Sequence, residues 1–272
     1  MSPGMIRLDR IRLVSADPEA LAGFFIAALG FSRAAATQPA PGETVVPLRL
    51  GAQAVDLVGF AEPGRPYPAE VPGWSPLFQH IALVVSDMAA AHARLSARPD
   101  WRPISTAGPE SLPAASGGVT AFKFRDPEGH PLEFLEFPAG SVPEPWRGVG
   151  GDICRGIDHS AISVAETDAS LAFYAGLGFT VLSRSINVGP EQGRLDGLPD
   201  PHVAVTGLRP PGAATPHLEL LAYAGAFPRA GLASADHDIA ATTLVFARAD
   251  GAAPDASPRA VRDPDGHRLW LP

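Results

Sequence analysis

The sequence predicts an α+β protein built from tandem modules, each a strand, a helix and three further strands, with the fourth and last module truncated. Three repeated features predict it. An apolar helical run ending in Leu-Gly-Phe occurs twice, as Leu21-Ala22-Gly23-Phe24-Phe25 leading to Leu29-Gly30-Phe31 and as Leu171-Ala172-Phe173-Tyr174 leading to Leu177-Gly178-Phe179. The turn Arg-Asp-Pro-x-Gly-His also occurs twice, from Arg125 to His130 and from Arg262 to His267. A strand opening on histidine is twice followed by a strand carrying glutamate: Gln79-His80-Ile81-Ala82-Leu83 with Leu132-Glu133-Phe134, and Asp158-His159-Ser160-Ala161-Ile162 with Leu218-Glu219-Leu220. Internal repetition of this kind defines the architectural unit before any single element is assigned.

The first module runs over residues 5–60: an alternating apolar strand from Ile6, then an amphipathic helix stopped at Gly30, where a left-handed C-cap costs little. The second covers 76–137 and contains the Asp126-Pro127-Glu128-Gly129 turn, a tight turn between strand-like residues and hence a hairpin. The third covers 156–223 and repeats the strand and the helix. Within it, Asn187 to Asp196 interrupts the pattern and reads as a loop. The fourth, 239–272, holds a second hairpin at Asp263-Pro264-Asp265-Gly266 but too little chain for a full helix. Proline-rich stretches (Ala61 to Gly73, Pro138 to Arg147) separate the first three. The glycine-rich Ala115-Ser116-Gly117-Gly118 lacks phosphate-cradling spacing and reads as a plain loop.

The chain has 272 residues, 46% of them hydrophobic and 18% charged, which suits a globular protein with a substantial core. Its net charge of −8 argues against a nucleic-acid partner, because phosphate binding needs a basic face. Neither a signal-type segment nor a long apolar span is present, so no membrane partner is expected. The single cysteine, Cys154, leaves no internal disulfide and fits a reducing cytoplasm.

Each histidine strand with its glutamate strand is half of a site, and the two halves together offer two imidazoles and two carboxylates. That donor set suits one divalent metal ion per chain (Zn, Ni, Co, Mn or Fe). His80, Glu133, His159 and Glu219 are the expected ligands. A lone histidine on an apolar strand is more often a satisfied core residue. Here, however, Glu133 lies between Leu132 and Phe134, where an unpaired carboxylate costs roughly several kcal/mol, and the His/Glu pairing occurs twice. The equivalent positions in the first module are Arg10 and Asp56; in the fourth they are a site near Ala241 and Trp270. Arg10 and Asp56 are expected to form an ion pair where a metal is absent, and Trp270 to fill the remaining volume. His130 and His267 read as structural turn residues. His237 reads as a solvated loop residue with a remote chance of reaching the metal. Arg184, just before the interrupting stretch, and Arg194 within it are candidate anchors for a substrate carboxylate or phosphate by bidentate bonds.

The Phe-Tyr…Leu-Gly-Phe helix end, the Asp-Pro-x-Gly-His-x-Leu-Glu hairpin and the strand-borne histidines resemble the vicinal oxygen chelate superfamily over nearly the whole chain. Its members include glyoxalase I, methylmalonyl-CoA epimerase, extradiol dioxygenases and fosfomycin and bleomycin resistance proteins. The resemblance implies paired βαβββ modules whose curled mixed sheets form a cup around a metal. It also implies a choice of pairing. Joining the first module to the second and the third to the fourth leaves two incomplete sites. Joining the second to the third gives one complete site and one without ligands, the crossed arrangement of single-chain glyoxalases I. Extradiol dioxygenases use the third and fourth modules, a layout that Trp270 and the truncated fourth module disfavour.

The expected activity is a metal-dependent, glyoxalase-like isomerisation, epimerisation or lyase reaction on a small vicinal-oxygen substrate, through an enediolate or enolate. Either Glu219 or Glu133 is the base in such a site. The alternatives are an Fe(II)-dependent extradiol-type dioxygenase and a small-molecule-sequestering protein of the antibiotic-resistance type. A site enclosed by one chain allows a monomer or a homodimer.

Overall fold

The computed structural model describes residues 6–35, 39–225, 235–251 and 258–272. In chain order the strands and helices are β1 (Ile6–Val14), α1 (Pro18–Leu29), β2 (Ser32–Arg33), β3 (Glu43–Leu50), β4 (Gln53–Phe60), β5 (Gln79–Val85), α2 (Met88–Ser96), β6 (Arg102–Pro103), β7 (Glu110–Ser111), β8 (Thr120–Arg125), β9 (Pro131–Glu136), β10 (Cys154–Ser163), α3 (Thr167–Gly176), β11 (Thr180–Asn187), α4 (Pro190–Asp196), β12 (Val203–Arg209), β13 (His217–Tyr223), β14 (Thr243–Arg248), β15 (Arg259–Arg262) and β16 (Arg268–Leu271). Among the described residues no helix is long and apolar enough to cross a membrane.

The strands make two mixed sheets. One has the order β15-β16-β14-β1-β4-β3-β2. The other runs β11-β12-β13-β10-β5-β9-β8-β6, with β7 added against β8. At the centre of each, two antiparallel strands meet: β1 with β14, and β10 with β5. Side chains alternate across each strand, so Ile81, Leu83 and Val85 enter one core while His80 and Ala82 face the other way. The core-side faces carry the helices. In α1 the buried Leu21, Phe24, Phe25 and Leu29 recur at helical spacing. Asp17 caps that helix at Ala20 N, and Gly30 ends it at φ 74°.

The two Asp-Pro-x-Gly-His turns hold the sheets to one another. In the first, Asp126 Oδ1 accepts from the backbone of Glu128, Gly129 and His130. Glu128 then accepts from Ser15 Oγ and the Ala16 and Asp17 amides at the start of α1, while His130 Nε2 bonds Val14 O at 2.9 Å. The second turn repeats this against the β10–α3 junction, with Asp265 accepting from Ala165 N and His267 Nε2 bonding Ser163 O at 2.9 Å. Both histidines thus satisfy buried carbonyls at a strand end.

Three expectations need correction here. Pro190 to Asp196 is a short helix rather than loop: proline starts it, Gly197 ends it in the left-handed region, and Gln192 and Leu195 bury its inner face. The counterpart of His80 in β14 is Thr243 and not the region of Ala241, since Thr243 pairs with Arg12 as His80 pairs with Ala161. Trp270 does not fill the space beside it. It lines a cavity of about 360 Å³ together with Arg12, whose guanidinium lies 4.1 Å from the indole centroid and bonds Glu43 at 2.7 Å. The expected Arg10–Asp56 contact is present at 3.3 Å.

Candidate metal centre

The floor of the larger sheet's open face is set by register. In β5 and β10, Ala161 stands opposite His80, and Ala82 stands opposite His159. The outer neighbours complete the pattern, with Glu133 opposite Ala82 and Glu219 opposite Ala161. Six residues therefore share one face in a near-symmetric arrangement, and its two central positions are alanines with no exposed surface. The small side chains leave room between the imidazoles and the carboxylates. The smaller sheet has the larger Arg12 and Val245 at the alanine positions.

His80 Nε2 lies 3.0 Å from Glu133 Oε2. His159 Nε2 lies 3.7 Å from the same oxygen and 3.5 Å from Glu219 Oε2. Ligand atoms of His80, Glu133 and His159 all fall within 4.8 Å of one another. His159 Nε2 is buried and makes no hydrogen bond, although it is aimed between two carboxylates. An orphaned imidazole nitrogen facing two carboxylates, over a floor that no side chain fills, fits a divalent cation.

The surrounding charges favour positive charge at this point. Burial alone would depress His159, but Glu219, the hydrogen bond to Asp158 and Glu133 outweigh it and raise the imidazole to about 9. Burial would raise both carboxyls, yet each is held at about 2: Glu133 by Lys123 and His80, Glu219 by His159 and His217. His80 is pushed down by burial against the pull of Glu133.

Several residues of the site are not evident from the sequence. Asp158 Oδ2 lies 3.0 Å from His159 Nδ1, and its other oxygen accepts from Trp146 Nε1 at 2.7 Å. This is the carboxylate–imidazole arrangement that fixes a ligand's ring and tautomer. A register irregularity between Ile157 and His159 lets these adjacent side chains share a face. Trp146 fits because residue 156 is glycine; a Cβ there would meet the indole at 2.7 Å. His217, two residues before Glu219 and on the same face, approaches Glu219 Oε1 at 3.5 Å. The spacing of His217 from a predicted ligand was the available signal. Lys123, opposite Glu133, bonds Asp196 at 2.7 Å, and Asp196 also accepts from Gln192 and Tyr223.

These residues line a cavity of about 810 Å³, to which Ala115, Ser116 and Gly117 also contribute. Arg184 lines it as well. Arg194 does not: α4 turns it outward, where Glu110 holds it by two bonds of 2.7 and 2.8 Å. Its expected role as a substrate anchor is therefore withdrawn. His237 packs against Phe60, a residue of the smaller cavity, and does not join the cluster.

The family model of the Glyoxalase/Bleomycin resistance protein/Dioxygenase superfamily matches residues 7–134. No curated protein matches the chain. Among solved structures it is similar to glyoxalase I from Zea mays, at 14% identity over 98% of this chain and 92% of that one, with a TM-score of 0.60. It is also similar to a protein of Bacillus subtilis subsp. subtilis str. 168 described as a candidate dioxygenase, at 13% identity over 99% and 84% of the two chains, with a TM-score of 0.57. Likeness at these identities establishes the fold.

Proposed function

Starting from a chain whose residues 7–134 match the Glyoxalase/Bleomycin resistance protein/Dioxygenase superfamily, we propose that it is a metal-dependent enzyme that moves a proton on a small substrate with adjacent oxygens. The observation that carries this reading is the unpartnered His159 Nε2 aimed at Glu133 and Glu219 beside His80. We also propose that the chain divides into four modules, with the active cup between the second and the third. His80, Glu133, His159 and Glu219 would hold one divalent ion. When bound, that ion supplies a Lewis acid for negative charge developing on the adjacent oxygens.

The protein's own groups divide the remaining work. Glu133 is fixed by His80 and faces Lys123, and its side chain is 8% exposed; that of Glu219 is 21% exposed and its contact with His217 is long. Glu219 is the freer carboxylate, and in this proposal it takes the proton from one carbon and returns it to the neighbouring one. Asp158 keeps His159 oriented. The apolar walls exclude water from the reacting carbons. The cup is enclosed by one chain, so neither a monomer nor a homodimer is required by the chemistry.

The test is proton exchange. A panel of hydroxy-carbonyl compounds incubated in deuterated water should yield a compound that gains solvent deuterium at carbon, with the exchange lost in Glu219→Gln. Retained exchange in that variant removes Glu219 from the role. A second reading rests on the same cluster, because His80, His159 and Glu133 form a two-histidine, one-carboxylate set like that of Fe(II) oxygenases. Oxygen-dependent consumption of a catechol, with none in anaerobic buffer, would favour it over proton transfer.

A further inference from the structure

We infer that the smaller sheet carries a second ligand site, one that takes a small carboxylic acid with an apolar body and grips its carboxylate with Arg262 and Arg268. The site is the cavity of about 360 Å³ beside Trp270, on a different sheet from the proposed metal centre. Register brings its cations together. Arg12 pairs with Thr243, Thr243 with Arg268, and Arg268 with Arg262, so one row across four strands presents three guanidiniums to a single face. That face is the cavity's. All four residues line it, while Ile11, Leu13 and Leu244, their alternates along the strands, enter the core.

Arg262 and Arg268 stand directly opposite one another on antiparallel strands, a placement in which like charges repel. The Arg268 side chain is 9% exposed, and burial together with Arg262 pushes it below the ordinary arginine range. Cations held this close call for an anion between them, and Asp236 marks the place. Its Oδ1 lies 3.1 Å from Arg268 Nε and 3.7 Å from Arg262 Nη2, so both guanidiniums converge on one carboxylate oxygen. Gly266 O accepts from Arg262 Nη1 at 2.9 Å and fixes that side chain without neutralising it.

Asp236 is a replaceable occupant. It lies on the segment before β14 rather than on the sheet, and its side chain is 84% exposed. An ion pair to so solvated a carboxylate is weak, which lets a ligand acid take its place. Arg12 is matched by Glu43 at 2.7 Å, which leaves Arg262 and Arg268 for the ligand. The group they already hold is a single carboxylate, whose geometry guanidiniums match. Val14, Val58 and Phe60 supply apolar wall for the rest of the molecule. The volume is at the small end for ligand sites, so that body is small.

Benzoate and its neutral counterpart benzamide probe the site, with affinities measured by calorimetry on the full chain. Wild-type protein should bind benzoate at least about tenfold tighter than benzamide. Asp236→Ala should tighten benzoate about threefold or more, because the competing carboxylate is gone, and leave benzamide unchanged. Arg262→Gln should remove most of the preference for benzoate. Equal binding of the two compounds, no tightening in Asp236→Ala, or a preference that survives Arg262→Gln overturns the inference. So does benzoate binding that disappears in His80→Ala/His159→Ala, which would place the acid in the larger cup. Arg262 is exposed and its replacement is expected to fold; should it not, the Asp236→Ala comparison decides alone.

Discussion

Asp158→Asn should weaken metal binding without removing a proposed ligand. The carboxylate is buried, 3.0 Å from His159 Nδ1 and 2.7 Å from Trp146 Nε1, so each oxygen accepts one N–H. Asparagine keeps the volume but retains a single acceptor for these two donors, and it removes the charge that favours a strongly donating imidazole. Loss of such an outer partner typically costs 10–100-fold in affinity, about 1.4–2.8 kcal/mol. His80 has no equivalent support, since its Nδ1 is buried without a partner, so no second orienter offsets the loss. Competition against a chromophoric chelator measures the affinity directly. Trp146→Phe is the control, because the Asp158 carboxylate remains to orient His159, and it should lose less. Affinity of Asp158→Asn within twofold of wild type, or an equal loss in Trp146→Phe, would refute the orienting role.

Three further outcomes are expected. Asp196→Ala leaves the buried Lys123 ammonium unpaired and orphans donors on Gln192 and Tyr223, which should cost about 3–5 kcal/mol. Thermal denaturation should show this as a fall of roughly 10 °C, recovered in part in Lys123→Met/Asp196→Leu, where the Gln192 and Tyr223 donors stay unpaired but the ammonium is gone; no recovery would mean the loss is not electrostatic. His130 is buried, which disfavours its charged form, but Asp126 on one ring nitrogen and Val14 O on the other outweigh burial and raise its pKa above 6.5. Its stabilising contribution is then complete below about 6.5 and declines as pH rises through the raised value, and a melting-temperature profile of His130→Gln should lack that decline. Arg194→Ala should leave metal content and the affinity for a carboxylate-bearing ligand unchanged, because Glu110 holds Arg194 outside the cup; a calorimetric loss of that affinity would restore it as an anchor.

The sequence carried much of the fold because its strongest signals are local and repeated. Gly30 ends a helix in the left-handed region, and Asp126 and Asp263 each nucleate a hairpin through several backbone amides, and such features need no tertiary information. Period-two alternation likewise shows which face His80, Glu133, His159 and Glu219 share once strands are assumed. What stayed hidden depends on departures from regularity or on distant partners. Asp158 should face away from His159 in a regular strand, and only the register break after Ile157 turns both inward. Arg194 and Arg184 look alike in sequence; α4 separates them by pointing one at Glu110. That helix has seven residues with Gly193 inside it, too short and too weak in propensity to leave a periodic trace. Lys123 and Asp196, the last residue of α4, are 73 positions apart and meet only when that helix docks.

The most direct test of the metal centre is elemental analysis of protein purified without chelator, in parallel with His80→Ala/His159→Ala. The account predicts close to one divalent ion per wild-type chain and essentially none in the variant. Absence of metal from the wild type even after reconstitution with Zn²⁺, Ni²⁺, Co²⁺, Mn²⁺ and Fe²⁺ would contradict it. The His/Glu pairs would then be a buried proton-bridged cluster in a binding protein.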